Sequence, residues 1–129
     1  DCYNSNPASL RSAIETLRDI GAGKRKVLIA GDMLELGASA QELHREIGRF
    51  AAKAKIDIFV SVGPLSGYIL EGAQEEGIGG KSLLHFENSV EAAKALKDIL
   101  RKGDLVLVKG SRGMKMEAIK KCFTTCSTR

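Results

Sequence analysis

Two polar loops of this chain contain the residues that are best suited to bind a charged ligand. The segment 109–113 reads KGSRG and offers two cations, Lys109 and Arg112, the hydroxyl of Ser111 and flexible backbone amides. Because it precedes a predicted helix, whose N-terminus favours negative charge, this segment could bind a phosphate or a carboxylate. Short basic loops are also common on protein surfaces, so Lys109 and Arg112 could instead extend into water.

The second loop, residues 31–37, reads GDMLELG and follows a short apolar run. Asp32 and Glu35 could bind a cation or an ammonium group. Alternatively, Asp32 caps a turn while Leu34 and Leu36 fill the core. The loop is neither a dinucleotide fingerprint nor a P-loop, and no P-loop motif occurs elsewhere in the chain. The sequence therefore does not predict a self-contained nucleotide-hydrolysing site.

The histidines and cysteines suggest structure more than catalysis. His44 and His85 have no serine, cysteine or acidic partner at a spacing typical of a catalytic triad, and we interpret both as structural. The odd number of cysteines and the lack of CxxC spacing disfavour a disulfide framework and a zinc site, and indicate a reducing, cytoplasmic setting. The cysteines are Cys2, Cys122 and Cys126.

Composition describes one globular domain. The chain has 129 residues, of which 43% are hydrophobic and 28% charged, and no apolar run is long enough to cross a membrane. The net charge is +4, but residues 101–129 contain eight cations and two carboxylates, a charge of +6. This basic part could bind an anionic ligand or nucleic acid, or it could form a solvated helix face. The scarcity of aromatic residues disfavours nucleic acid. The chain opens directly into a motif without a signal peptide, so we expect it to belong to a longer protein.

The elements that position the two loops alternate along the chain. Apolar spacing predicts a helix from Pro7, capped by Asn6, to Ile20, and a second helix that begins at a Ser39/Glu42 capping box. A weaker helix is expected over 65–76, broken by Gly72, and a further helix is expected after a cap at Asn88. Short β-branched or apolar runs predict strands at 27–30, 56–62, 84–86 and 105–108. The last helix is expected at 114–123, and 124–129 as a flexible tail.

This alternation predicts an α/β fold of Rossmann-like, doubly wound type, with a mostly parallel sheet and helices on both faces. We expect residues 1–123 to form one domain. In such folds ligands bind at the carboxyl ends of the strands, which here places three loops at the site: 31–37, 63–67 and 109–113.

Three segments resemble the C-terminal domain of the Mur ligases. They are the opening DCYNSNPAS at 1–9, GDMLELG at 31–37 with Leu43-His44 following, and VKGSRGMKME at 108–117. The motifs occur in the family's order and extend over almost the whole chain. Ser5 stands where the family usually has a small alanine.

The resemblance implies the closing domain of an ATP-dependent amide-bond ligase of cell-wall synthesis, without a catalytic residue of its own. Within the family, the likeness points to members that join D-alanyl-D-alanine to the UDP-N-acetylmuramoyl-tripeptide. The N-terminal and central domains of the same chain would then be its partners, with the P-loop and Mg²⁺ in the central domain. No nucleic-acid partner and no membrane insertion are implied.

The same resemblance implies two groups of binding residues. Asp1 would accept hydrogen bonds from the ATP ribose, and Tyr3, Asn4 and Asn6 would line the nucleotide. Asp32 and Met33 would line the dipeptide pocket. Facing the dipeptide carboxylate or the phosphates would be Lys109, Ser111 and Arg112.

Three other classes fit less well. A response-regulator receiver has an acidic residue and a lysine placed as Asp32 and Lys109 are, but no phosphoacceptor aspartate ends the run at 56–62. A nucleic-acid module and a free-standing dinucleotide enzyme lack the stacking aromatics and the glycine fingerprint, respectively. A nucleotide- or anion-binding module of unrelated function is the remaining alternative.

Overall fold

The computed structural model describes residues 6–110, in which strands and helices alternate as the sequence predicts. The predicted helix at 114–123 and the tail at 124–129 lie outside this range. In chain order the elements are α1 Pro7–Ile20, β1 Lys26–Gly31, α2 Ala40–Lys53, β2 Ile58–Val62, α3 Gly67–Glu75, β3 Leu83–Phe86, α4 Ser89–Ile99 and β4 Leu105–Lys109, with 3₁₀ turns at Gly37–Ser39 and Gly80–Ser82.

The four strands form one parallel sheet in the order β3-β2-β1-β4. β1 is central and pairs with β2 on one side and β4 on the other, so that Ala30 lies opposite both Ser61 and Lys109. Every residue of β1 and β2 is buried, as expected for strands covered on both faces. The predicted α/β class with a parallel sheet is confirmed.

Helices cover the two faces unequally. The first face, packed against α1, α2 and α3, receives Leu28 and Phe59 from the sheet, while Ile29 and Val60 point to α4 on the opposite face. This separation follows from the period of two in a strand, which sends successive side chains to opposite faces. The two apolar clusters close the core on both sides of the sheet.

Short connections place all four helix N-termini at one edge of the sheet. Residues 21–25 join the end of α1 to the beginning of β1, and residues 54–57 join α2 to β2. α1, with 14 residues, is about 21 Å long and nearly matches the length of β1. Asn6 therefore lies at the carboxyl edge of the sheet, where the loops after the strands also lie.

An ion pair fastens the opposite, amino edge. Arg25, just before β1, donates to both carboxylate oxygens of Asp104, just before β4, at 2.9 and 2.7 Å. Burial raises the pKa of the Asp104 carboxyl, but the bonds from Arg25 and from the Arg101 backbone N–H outweigh burial and hold this pKa below its usual value. The pair keeps its charges and fixes the start of two neighbouring strands.

Two local predictions are wrong. Ser39 makes no side-chain capping bond, because the chain enters α2 through the 3₁₀ turn and Ser39 does not have the extended backbone of a normal N-cap. α3 runs through Gly72 without a break, because this glycine packs directly against the backbone of Arg45 in α2. The caps predicted at Asn6 and Asn88 are confirmed.

Candidate functional site

The carboxyl edge of the sheet brings together the described members of the predicted site. Asn6 lies there at the N-terminus of α1, and Asp32 and Met33 follow the last residue of β1. Lys109 ends β4 and is paired in register with Ala30, two residues before Asp32. Positions from three distant motifs thus share one edge. The remaining predicted site residues, Asp1, Tyr3, Asn4, Ser111 and Arg112, lie outside the described range.

Asn6 is a capping residue. Its side-chain oxygen accepts the backbone N–H of Ser9 at 2.9 Å, and the Ser9 hydroxyl accepts the N–H of Asn6 at 3.2 Å. This reciprocal pair fixes where the chain enters α1. The predicted contact of Asn6 with the nucleotide stays a prediction.

Asp32 links the loop after β1 to the loop after β2. The residue is 3% exposed, and its Oδ1 accepts the backbone N–H of Leu65 at 2.9 Å and that of Ser66 at 2.7 Å. These amides precede α3, so the carboxylate caps the entry to that helix in trans. Of the two interpretations considered for this carboxylate, turn capping is the one that these contacts show.

The other side chains of the 31–37 loop divide between core and surface. Met33 is fully buried, Leu36 packs at the edge of the same apolar cluster, and Leu34 is 41% exposed. Leu34 therefore does not fill the core, contrary to one of the alternatives. Glu35 has a φ of 62°, a left-handed conformation that is uncommon outside glycine and asparagine. The loop thus holds a costly backbone conformation beside the predicted pocket.

His44 of α2 holds this loop from the other side. Its Nε2 accepts the backbone N–H of Met33 at 3.0 Å, and its Nδ1 donates to the carbonyl of Ala40 at 2.6 Å. Burial lowers the pKa of His44, while the Ala40 bond and the charge of Asp32 raise it less strongly. Because the N–H of Met33 donates to Nε2, the ring is neutral with its proton on Nδ1, and both of its bonds are to backbone groups of the protein.

The electrostatics of this edge favour an anion. The N-termini of α1 to α4 all face it, and the dipole of each helix contributes partial positive charge, which the buried carboxylate of Asp32 offsets at the entry to α3. Lys109, partly buried at the end of β4, adds a full positive charge. Such an arrangement suits phosphate or carboxylate groups, in agreement with the predicted ligands of the 109–113 segment.

The sequence did not predict a row of three hydrogen-bonded side chains that begins on β2 and continues along and just after β3. Ser61 Oγ lies 2.6 Å from Nδ1 of His85, and the other ring nitrogen lies 3.2 Å from a carboxylate oxygen of Glu87. The spacing along the chain hides this contact, because Ser61 and His85 meet through the parallel register of two strands. Ser61 is fully buried, so its hydroxyl is closed to a substrate. The structural interpretation of His85 stays a prediction.

His85 also borders an open cavity of about 330 Å³ between β3 and α3. Two of its walls belong to the 63–67 loop, which follows the carboxyl end of β2. Its walls are Pro64, Gly67, Tyr68, Leu70, Glu71 and His85.

Across residues 6–110, no helix has the length and apolarity that a membrane crossing requires.

Comparison with known proteins identifies the family. Residues 1–112 match the family described as Mur ligase, glutamate ligase domain. The chain is 37% identical over 121 residues to a Bacillus subtilis protein named UDP-N-acetylmuramoyl-tripeptide--D-alanyl-D-alanine ligase, and 34% identical to the Escherichia coli protein of that name. These matches cover 94% and 92% of this chain, but 26% and 25% of the two relatives.

Solved structures agree. A crystal structure of MurF from Acinetobacter baumannii superposes with a TM-score of 0.79 at 33% identity, over 94% of this chain and 26% of that one. A MurF ligase from Thermotoga maritima in complex with ADP gives 0.74 at 28% identity, over 95% and 26%. This chain therefore spans about a quarter of the relatives' length. With its family match over residues 1–112 and this agreement of fold, the chain belongs to the Mur ligase family, as a glutamate ligase domain.

Proposed function

We propose that this chain is the C-terminal domain of an ATP-dependent ligase that joins D-alanyl-D-alanine to the UDP-N-acetylmuramoyl-tripeptide. The observation that carries this proposal is the convergence of three motif positions, Asn6, Asp32 and Lys109, at one anion-favouring edge of the sheet. The names of the curated relatives supply the substrates, and the ADP complex of a structural neighbour supports the nucleotide. A cytoplasmic setting, indicated by the cysteines, belongs to the same proposal.

In this proposal the domain closes over ATP and presents the dipeptide amine to an acyl phosphate made on the central domain. Closure converts a bimolecular attack into a nearly unimolecular one and excludes the water that would hydrolyse the acyl phosphate. Mg²⁺ and the P-loop belong to the rest of the protein, and the groups of this domain position substrates and offset negative charge.

The binding residues are assigned as follows. The opening motif contacts the nucleotide, with Asp1 at the ribose and Tyr3, Asn4 and Asn6 along its edge. The 31–37 loop forms the wall of the dipeptide pocket, where Asp32 and Met33 contribute the backbone that their buried side chains hold in place. The carboxylate or phosphate groups are bound by Lys109, Ser111 and Arg112, through charge-assisted hydrogen bonds.

The first test compares the full-length protein with the 129-residue chain. With ATP, Mg²⁺, D-alanyl-D-alanine and the UDP-linked tripeptide, the full-length protein should release one phosphate per amide bond formed. The 129-residue chain should do neither, because it has no P-loop to bind and activate the γ-phosphate. A full-length protein that is inactive with this dipeptide would contradict the proposal, and so would phosphate release by the isolated chain above a mock purification.

A second test concerns Lys109. Lys109→Ala in the full-length ligase should lower kcat/KM for the dipeptide or for ATP by about tenfold, because a cation at a desolvated anion site is lost. Lys102→Ala is the matched control, since Lys102 is exposed in the turn before β4, at the other end of that strand. Steady-state kinetics with each substrate varied in turn distinguish the two anions. Equal, small effects of the two substitutions would mean that Lys109 only extends into water.

A further inference from the structure

His44 holds the backbone of the candidate pocket wall through one defined atom. The backbone N–H of Met33 can only donate, so the Nε2 atom 3.0 Å away must accept. The carbonyl of Ala40 can only accept, so Nδ1 must carry the proton. These two bonds connect the loop after β1 to the first turn of α2. The contact therefore has a fixed direction, which no other residue type reproduces completely.

Water cannot replace the hydrogen bond between His44 and Met33 if it is lost. His44 and Met33 are both fully buried, and the bond between them lies inside the protein. A buried amide that loses its acceptor stays unpaired unless the backbone moves. The loop next to it already contains a left-handed residue, Glu35, whose backbone conformation is costly and persists only while its surroundings hold it. Loss of the Nε2 acceptor should consequently shift the 31–37 loop and leave the core in place.

We propose that His44 is a positioning residue for the dipeptide: through its bond to the Met33 amide it fixes the loop that forms the pocket wall. This inference rests on the proposed function. His44 does not touch the substrate in this scheme. It acts on the dipeptide through the conformation of residues 31–37, in parallel with Asp32, which holds the same loop to the entry of α3.

Two amide substitutions separate the two bonds of the ring. The side-chain amide of glutamine reaches the position of Nε2, and its oxygen can accept the Met33 N–H. The shorter amide of asparagine reaches only the position of Nδ1, where it can serve Ala40 and leaves Met33 unpaired. His44→Asn in the full-length ligase should therefore raise KM for D-alanyl-D-alanine about five- to tenfold, and His44→Gln by no more than about twofold. KM for ATP should change by less than about twofold in both.

A core variant controls for general destabilisation. Leu96 is fully buried in α4, on the opposite face of the sheet. Leu96→Ala should lower Tm at least as much as His44→Asn while KM for the dipeptide stays near that of the wild type. Hydrogen exchange adds a readout that does not depend on turnover: the Met33 amide should exchange about tenfold faster in His44→Asn than in His44→Gln.

The outcomes are distinguishable. If the wild-type ligase does not use the dipeptide, the proposed function fails and this inference fails with it. If the wild type is active but His44→Asn keeps a normal dipeptide KM, or if Leu96→Ala and His44→Gln raise that KM as much as His44→Asn does, His44 has only a structural role and the inference is overturned.

Discussion

Gly48→Ala should destabilise the domain by about 3 kcal/mol or more, although alanine is normally the better helix former by about 1 kcal/mol. Gly48 lies in the middle of α2, where α3 crosses it. A Cβ atom added there would overlap the carbonyl oxygen of Ile69 and lie 2.8 Å from its carbonyl carbon and 2.9 Å from the nitrogen of Ala73. All three are backbone atoms that cannot rotate away, so the two helices must separate.

The control for this substitution is Gly79→Ala. Gly79 has an extended backbone with φ of −96°, and nothing lies within 4 Å of an added Cβ atom. The free energy of unfolding of the Gly79→Ala variant should differ from that of the wild type by less than about 0.5 kcal/mol. Chemical and thermal unfolding of the 129-residue chain measure both variants, and Gly48→Ala should lower Tm by more than about 10 °C. A Tm within two or three degrees of the wild type would show that α2 and α3 do not pack as closely as described.

This crossing also explains why the prediction for α3 was wrong at Gly72. From one sequence, a glycine inside a weak helical pattern reads as a break, because its cost to the helix is known and its packing partner is not. The partner is the backbone of Arg45, 27 positions earlier in the chain. Gly48 and Gly72 thus serve one crossing reciprocally. Both glycines stabilise the fold through packing between distant parts of the chain, and local helix propensity gives no information on such packing.

The fold was predictable because its signals are local. The cap at Asn6, the apolar period of α1 and the continuous apolar run of β1 each occupy a few adjacent residues, and all are confirmed. The sheet order could not be read in the same way. It depends on which strands pair, and the placement of β4 beside β1 is a contact between residues about 80 positions apart.

The candidate site was predictable as a location and less so in its contacts. The rule that ligands bind at the carboxyl edge selected the 31–37 loop correctly as part of that edge. Turn capping by Asp32 was one of two alternatives, but the sequence did not predict its donors, the amides of residues 65 and 66, or the bond that His44 accepts from Met33. In each case a side chain serves a backbone group of another element, and backbone groups leave no trace in the sequence.

Asp32→Ala should cost about 2 to 4 kcal/mol, while Asp32→Asn should cost about 1 kcal/mol or less. Alanine leaves the backbone N–H groups of Leu65 and Ser66 without their acceptor, and the bond to Ser66 is buried. Asparagine keeps an oxygen at the Oδ1 position, so both amides remain paired and the charge alone is lost. The comparison therefore separates the acceptor from the charge of this carboxylate.

The same pair of variants shows how stability and binding are connected at this edge. Unfolding of the 129-residue chain gives the two costs, and a loss in Asp32→Asn as large as in Asp32→Ala would mean that the charge, and not the capping bonds, stabilises the loop.

In the full-length ligase, Asp32→Ala should in addition raise KM for D-alanyl-D-alanine by about tenfold, because the pocket wall loses its attachment to the entry of α3. His44 still holds the loop to α2 in this variant, so the wall should shift and not unfold. The double variant Asp32→Ala/His44→Asn should then show a KM increase that differs from the product of the two single increases, since two bonds to one loop are coupled. Strictly multiplicative effects would show that the two bonds act on the pocket independently.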